Sequence, residues 1–105
     1  MAESISNNRY IDMTQKIELS DIYKIAPHHR FQWEEAQNCY VILFPEGMIK
    51  LNPSAGEILN LVDGKNSVEN VVTLLKEKFK DAGDIEKDII SMFEFALNKA
   101  WISKE

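Results

Sequence analysis

Apolar and polar residues alternate in the segment RFQWEEA, which begins at Arg30. Phe31 and Trp33 fall on one face and Gln32 and Glu34 on the other, because successive side chains of a strand point to opposite sides. This two-residue period predicts a strand with one buried face. The next run, CYVILF, is apolar at every position. That pattern indicates a strand covered on both faces.

A third and shorter strand is predicted at residues 48–51, between a Pro-Glu-Gly turn and an Asn-Pro step. Ile49 and Leu51 share one face of it, and Met48 and Lys50 share the other. Short connections between the three segments predict an antiparallel meander with CYVILF in the middle. The third strand is then an edge strand, whose free backbone groups can pair with another chain.

Three helices are predicted after the meander. The first is capped by Asn52, or alternatively by a capping box of Ser54 and Glu57, and ends at Asp63-Gly64. The second is capped by Ser67, and the third is capped by Asp84 and runs to about Ala100. Asn, Ser and Asp are favoured N-caps because their side chains accept hydrogen bonds from free N–H groups of the first turn, and Gly is favoured just past a helix end. The chain is therefore expected to belong to the α+β class.

The third helix carries an unusually wide apolar surface. Its apolar positions are Ile85, Ile89, Ile90, Met92, Phe93, Ala96, Leu97, Ala100 and Trp101. They cover roughly half of the circumference, whereas a helix that packs on a small core needs an arc of only about 100° or a little more. Phe95 falls outside this arc, beside Asp88 and Lys99. Either the helix is the central core helix, or one flank of it lines an open groove.

A groove between a free edge strand and an apolar helix suits peptide capture by strand addition. Backbone hydrogen bonds would supply affinity, and apolar pockets would supply specificity. The alternative is that the free edge pairs with its own copy, which would make the chain a homodimeric assembly module.

Length and charge narrow the function classes. The chain has 105 residues, enough for one domain, and a net charge of -5, which argues against nucleic acid binding. Its single cysteine, Cys39, excludes an internal disulfide and suits a reducing, cytoplasmic location. No run approaches the ~18 apolar residues of a membrane span.

Residues 1–20 are polar and predict a flexible N-terminal tail, with residues 21–105 forming the domain.

Candidate catalytic residues are sparse. His28 and His29 are adjacent, but a tetrahedral metal site needs further ligands at suitable spacing. Glu34 and Glu35 are neighbours on a predicted strand and point to opposite faces. Cys39 lies in an apolar strand and is expected to behave as a small hydrophobic residue. We therefore predict a protein without catalytic or metal-binding residues and without a cofactor.

The segments RFQWEEAQ, PEGMIKLN, SAGEILNLVDG and SVENVVTLLKEKF, in this order and spacing, resemble the PqqD family of peptide chaperones in pyrroloquinoline quinone biosynthesis. The similarity runs from about residue 27 to residue 102. It implies a winged helix-turn-helix-like domain, a three-stranded antiparallel sheet followed by three helices, of the kind called a RiPP recognition element. The family usually has a glycine before the terminal Trp-Ile pair, where this chain has Ala100.

The resemblance also implies partners and site residues. The family binds the precursor peptide PqqA and presents it to the radical SAM enzyme PqqE. The peptide adds as a strand beside the third strand and against the third helix. Carried over, the peptide-binding residues are Met48, Ile49, Lys50, Leu51, Ile85, Ile89, Met92, Phe93 and Ala96.

Other functions remain open beside this one. The chain could recognise another ribosomal precursor peptide or act as a homodimeric module. Winged helix domains often bind DNA, but the third helix carries only Lys87 and Lys99 as cations, and the net charge is negative.

Overall fold

The computed structural model describes residues 17–105. Residues 1–16, which make up most of the predicted tail, lie outside the described residues. The described part begins with Ile17 packed against the core. In chain order the elements are β1 (Ile22–Ile25), β2 (Arg30–Glu34), β3 (Cys39–Phe44), β4 (Gly47–Lys50), α1 (Pro53–Leu59), β5 (Asp63–Ser67), α2 (Val68–Lys78), a 3₁₀ turn (Lys80–Ala82), α3 (Glu86–Asn98) and β6 (Ile102–Lys104).

Strands β2, β3 and β4 form the predicted antiparallel meander with β3 in the middle. Phe31 lies opposite Ile42, and Ile42 lies opposite Ile49. The turn between β2 and β3 places Asn38 in the left-handed region at φ 56°, which asparagine tolerates well. Strand β4 is one residue out of step with the prediction, because it begins at Gly47 and ends at Lys50.

A second antiparallel sheet, in the order β5-β1-β6, is absent from the prediction. The first helix ends at Leu59 with Asn60 as its C-cap, so the predicted end at Gly64 is wrong. Gly64 instead lies in β5 at φ 80°. Strand β5 has the polar sequence DGKNS, and its pairing with β1 depends on a partner far away in the chain.

Local capping signals place two of the three helix starts correctly. The Asn52 side chain accepts from the Ala55 N–H at 2.8 Å, and the Ser67 hydroxyl accepts from the Asn70 N–H at 3.1 Å. The predicted cap at Asp84 is off by one residue. Ile85 is the N-cap of α3, although Asp84 Oδ1 still accepts from the Glu86 N–H at 3.2 Å.

One core joins the two sheets to the helices. Ile42 of the meander, Leu59 of α1, Val71 of α2, Phe93 of α3 and Ile102 of β6 are all buried in it. Burial of this apolar surface is the main source of stability for a domain of this size. The architecture is a mixed α+β domain with three helices and two small antiparallel sheets. The winged helix-turn-helix description stays a prediction, since β5 separates α1 from α2 and β1 and β6 flank the predicted elements.

Candidate functional site

The outer edge of β4 presents backbone hydrogen-bonding groups. The Leu51 N–H donates to the Tyr40 carbonyl at 3.0 Å, and Ile49 lies opposite Ile42 in the same register. In an antiparallel ladder, alternate residues bond to the neighbouring strand. The backbone groups of Ile49 therefore face β3, and those of Met48 and Lys50 face outward. Within residues 17–105, β3 is the only strand that pairs with β4.

A groove of about 180 Å³ lies between this edge and α3. It is bounded by the end of β4 on one side and by the last turns of α3 on the other. Its lining residues are Ile49, Lys50, Leu51, Asn52, Ala55, Met92, Phe95 and Trp101. The volume suits roughly one aliphatic or small aromatic side chain, so the groove offers a single anchor pocket beside a row of backbone groups.

Two aromatic side chains form the α3 wall of the groove. The Phe95 and Trp101 rings meet edge to face with centroids 5.4 Å apart. Phe95 is 48% exposed, although it is a large apolar side chain, whereas Trp101 is buried. Lys99 Nζ lies 5.6 Å from the centre of the Phe95 ring. With Lys50 on the strand side, the groove combines an apolar wall with two flexible cations at its rim.

The turn after α3 brings Trp101 into this wall. The Trp101 N–H donates to the Ala96 carbonyl at 2.9 Å, and the Ala100 N–H donates to the Leu97 carbonyl at 3.0 Å. These two bonds define a Schellman motif, which requires a left-handed residue just past the C-cap. Ala100 takes that position at φ 62°. The chain thus makes this turn with alanine, although glycine is the residue that most easily adopts such a left-handed conformation.

The predicted site residues fall into three groups. Ile49, Lys50, Leu51 and Met92 line the groove together. Met48 is on the same face of β4 as Lys50 but does not line the groove; its side chain is 42% exposed, and its backbone groups lie at the free edge. The other four residues lie away from the groove lining: Ile89, Phe93 and Ala96 are buried in the core, and Ile85 is half-buried near the start of α3.

Phe95 and Trp101 line the groove but are not among the predicted site residues. A signal for Phe95 was present in the sequence, because an aromatic residue outside the apolar arc of a helix is not needed by the core. Trp101 was predicted as part of the arc itself. Its contact with Phe95 depends on the turn at Ala100, which reverses the chain direction.

Residues 17–105 also form two larger cavities outside the groove. One, of about 320 Å³, is lined by residues from all three helices, including Ile58, Leu75, Phe79 and Ile85. The other, of about 240 Å³, lies beside the exposed ring of Trp33 and reaches Tyr40 and Pro53. The first is lined mainly by apolar residues, whereas Asn38, Asn52 and Glu57 also line the second.

The strongest electrostatic perturbation lies away from the groove, at the start of β1. Asp21 is buried, its Oδ2 accepts from the Glu18 N–H at 3.0 Å and the Tyr23 hydroxyl at 3.1 Å, and Lys104 Nζ lies 3.0 Å from Oδ1. Burial works to raise the pKa of Asp21, but these hydrogen bonds and the Lys104 charge together hold it below the usual value. Burial, followed by the Asp21 carboxylate, raises the pKa of Tyr23 to about 12. This arrangement ties β1 to β6 and has the character of a structural network.

Residues 17–105 contain no group of three or more His, Cys, Asp or Glu side chains placed to hold a metal ion. His29 Nδ1 lies 2.9 Å from the Pro27 carbonyl, and its ring stacks on Phe44. In the same range, no helix has the length and apolar character needed to cross a membrane.

Comparison with known proteins shows the family of the chain. The family model described as Coenzyme PQQ synthesis protein D (PqqD) matches residues 39–102, which is more than half of the chain. The chain belongs to the PqqD family. A relative from Azotobacter vinelandii, called PqqA binding protein, is 48% identical over 84 residues, covering 80% of this chain and 91% of the relative. A protein of the same name from Pseudomonas aeruginosa PAO1 is 52% identical over 73 residues, covering 70% and 79%.

A solved structure extends the PqqD assignment to the fold. The solution structure of the PqqD part of Methylobacterium extorquens PqqCD superposes with a TM-score of 0.67 at 30% identity. The match covers 83% of this chain and 94% of that one. That protein is described as a functional and stand-alone RiPP recognition element. The PqqD family match includes β3, β4 and α3, which are the three elements that build the groove and its edge.

Proposed function

We propose that this PqqD-family chain is a non-catalytic peptide chaperone that captures a PqqA-type precursor peptide by strand addition to β4. The proposal rests above all on one observation: a free backbone edge lies directly beside an apolar groove. The names of the relatives support the choice of ligand, because they are called PqqA binding proteins.

In this proposal the peptide backbone pairs with the outward groups of Met48 and Lys50. The short length of β4 limits the pairing to a few hydrogen bonds, each contributing about 1 kcal/mol net. Backbone pairing alone does not depend on the amino-acid sequence of the peptide. It fixes the register of the peptide, and the groove then selects for the size and polarity of one peptide side chain.

The groove supplies the specificity. An apolar peptide side chain would insert between Ile49 on the strand and Met92 and Phe95 on the helix, all of which line the groove. Lys50 and Lys99 at the rim would favour a carboxylate close to that anchor. The proposed contact set therefore consists of Met48, Ile49, Lys50, Leu51 and Met92, with Phe95 and Trp101 added. Ile85, Ile89, Phe93 and Ala96 would act mainly by holding α3 in place.

Delivery to a modifying enzyme completes the proposed function. The chain would present the bound peptide to the radical SAM enzyme PqqE, and both proteins would act in the cytoplasm. Only one flank of the peptide is covered by β4 and α3 in this arrangement. The other flank stays accessible to an enzyme.

Amide NMR with the full chain and a synthetic PqqA peptide tests the proposal. We expect shifts concentrated at residues 47–51 and at Met92, Phe95 and Trp101, with a dissociation constant of about 10 µM or tighter, roughly -7 kcal/mol. A peptide of the same composition in scrambled order is the control. The absence of shifts at high PqqA concentration would leave the fold standing and remove the function, whereas shifts only with a different leader peptide would indicate another precursor.

Hydrogen exchange in the same samples tests strand addition itself. The Met48 and Lys50 N–H groups should exchange rapidly in the free protein and slowly in the complex. The Ile49 N–H, which faces β3 in both states, is an internal control and should change little. Binding without added protection at Met48 and Lys50 would show that the peptide uses the groove without extending the sheet.

A further inference from the structure

The cavity beside Trp33 carries features that the proposed peptide site does not use. It lies between the meander and the start of α1 and has a volume of about 240 Å³. It shares Leu51 and Asn52 with the groove, so the two cavities adjoin at the connection between β4 and α1. The rest of its lining is different, and it includes two aromatic rings and a carboxylate.

Trp33 and Tyr40 are the two aromatic residues of this cavity. They lie directly opposite each other on β2 and β3, and their rings meet edge to face with centroids 5.1 Å apart. The Tyr40 ring also stacks on Phe31 with centroids 4.8 Å apart, and it packs so closely on α1 that a Cβ at Gly56 would come within 2.7 Å of it. Trp33 lies at the end of this aromatic row and is 46% exposed. The chain therefore holds the Trp33 ring against a fixed neighbour and leaves much of its surface open.

Two carboxylates lie beside these rings. Glu35 Oε1 accepts from the indole N–H of Trp33 at 3.2 Å, which orients the indole. Among residues 17–105, Glu57 is the only charged residue that lines the cavity. Its Oε1 accepts from Lys78 Nζ at 2.7 Å, and the lysine side chain of this ion pair is 58% exposed. An ion pair so exposed is weak, so a second cation can compete with Lys78 for Glu57.

We propose that this cavity is a docking site for an arginine side chain on the surface of a partner protein. A guanidinium group is planar, so it stacks on the indole of Trp33 while its N–H groups donate to the carboxylates of Glu35 and Glu57. Lysine fits this site less well, because its ammonium group does not stack and is more strongly hydrated. The net charge of -5 adds a field that attracts a basic partner.

The inference does not depend on the proposed peptide function. Strand β3 lies between β2 and β4 in the meander. A partner bound at Trp33 therefore leaves the outward backbone groups of Met48 and Lys50 uncovered, and a peptide and the partner can be bound together.

An arginine tripeptide and the full chain test the proposal. The probe is acetyl-Gly-Arg-Gly-amide, and its matched control contains citrulline, which has nearly the same shape without the charge. We expect the arginine probe to shift the indole N–H signal of Trp33 in NMR spectra, with a dissociation constant on the order of 1–10 mM. Trp101 is the only other tryptophan and is buried, so its signal is an internal reference that should stay in place. A lysine tripeptide should bind about threefold more weakly or worse.

Three variants assign the binding to this cavity, with affinity measured from the backbone amide signals of Asn38 and Tyr40. Trp33→Leu keeps an apolar side chain and removes the ring, so affinity should fall about fivefold or more. Glu57→Gln removes the charge and should lower affinity about threefold. Lys78→Gln releases Glu57 from its ion pair and should instead raise affinity about twofold. A purely structural role of the ion pair would move the last two variants in the same direction.

Several results would overturn the proposal. They are an unmoved Trp33 signal, an equal response to the citrulline control, a shift of Trp101 in place of Trp33, and unchanged affinity of the Trp33→Leu variant. A shift of the Trp33 signal by the PqqA peptide would assign the cavity to that peptide and overturn the choice of partner. The tripeptide and the PqqA peptide are separate probes, so the failure of one proposal leaves the other standing.

Discussion

The backbone N–H of Trp101 donates to the carbonyl of Ala96 at 2.9 Å, across the end of α3. This bond closes the turn that places the Trp101 ring against Phe95 and completes the groove wall. It also fixes the start of β6, so one local motif serves both the candidate site and the second sheet.

Ala100 is the strained member of this motif, because a left-handed backbone costs a residue with a Cβ about 1 kcal/mol or more. We predict that Ala100→Gly raises the free energy of unfolding by roughly 0.5–1 kcal/mol, after allowing for the greater freedom of glycine in the unfolded chain. Urea denaturation measures this change. Ser91→Gly, at an exposed position inside α3, is the control and should lower stability by about 0.5 kcal/mol. If Ala100→Gly also lowers the free energy of unfolding, the backbone of Ala100 is not strained in solution.

Proline substitution in β4 distinguishes the N–H groups at the free edge from those that bond to β3. Lys50→Pro removes an N–H that faces outward, so the domain should stay folded while peptide affinity falls about five- to tenfold. Ile49→Pro would instead remove a bond to β3 and destabilise the domain. Lys50→Ala is the matched control, because it removes the same side chain and keeps the N–H. Equal peptide affinity of the Pro and Ala variants would contradict strand addition.

A charge at Met92 tests the groove wall. Met92 is half-buried and lines the groove, so Met92→Asp should weaken peptide binding about tenfold or more while the circular dichroism spectrum stays native. Its neighbour Phe93 is buried in the core, and Phe93→Ala should cost about 3–5 kcal/mol of stability. An unfolded Met92→Asp variant would place Met92 in the core instead.

The Asp21 network predicts a pH dependence of stability. The pKa of Asp21 is lower in the folded chain than in the unfolded chain, so its contribution is complete above the unfolded value of 3.8 and is lost as the pH falls through the folded value. Asp21→Asn should therefore cost about 1–3 kcal/mol at pH 7. The difference from the wild type should shrink at pH 3, as measured by urea denaturation. A pH-independent difference would mean that the charge of Asp21 contributes nothing.

The elements that the amino-acid pattern predicted correctly are those with local signals. Alternation gave the meander, and the caps at Asn52 and Ser67 gave two helix starts, because the groups that satisfy them lie within a few residues. The resemblance of four short motifs led to the family, since their order and spacing together are specific. These signals also located the edge strand and the apolar helix that build the groove.

Which residues of α3 face the groove depends on how the helix packs in the folded chain. Met92 lines the groove and Phe93 does not, although both belong to one apolar arc. The reason is that the groove and the core lie on different sides of α3. The second sheet also could not be predicted from local patterns. Strand β5 is polar and becomes a strand only through its pairing with β1. Trp101 reaches Phe95 because the chain turns at Ala100. Ala100 is in the left-handed region, a backbone conformation that its own residue type disfavours. In each case the deciding contact joins segments that the local pattern does not connect.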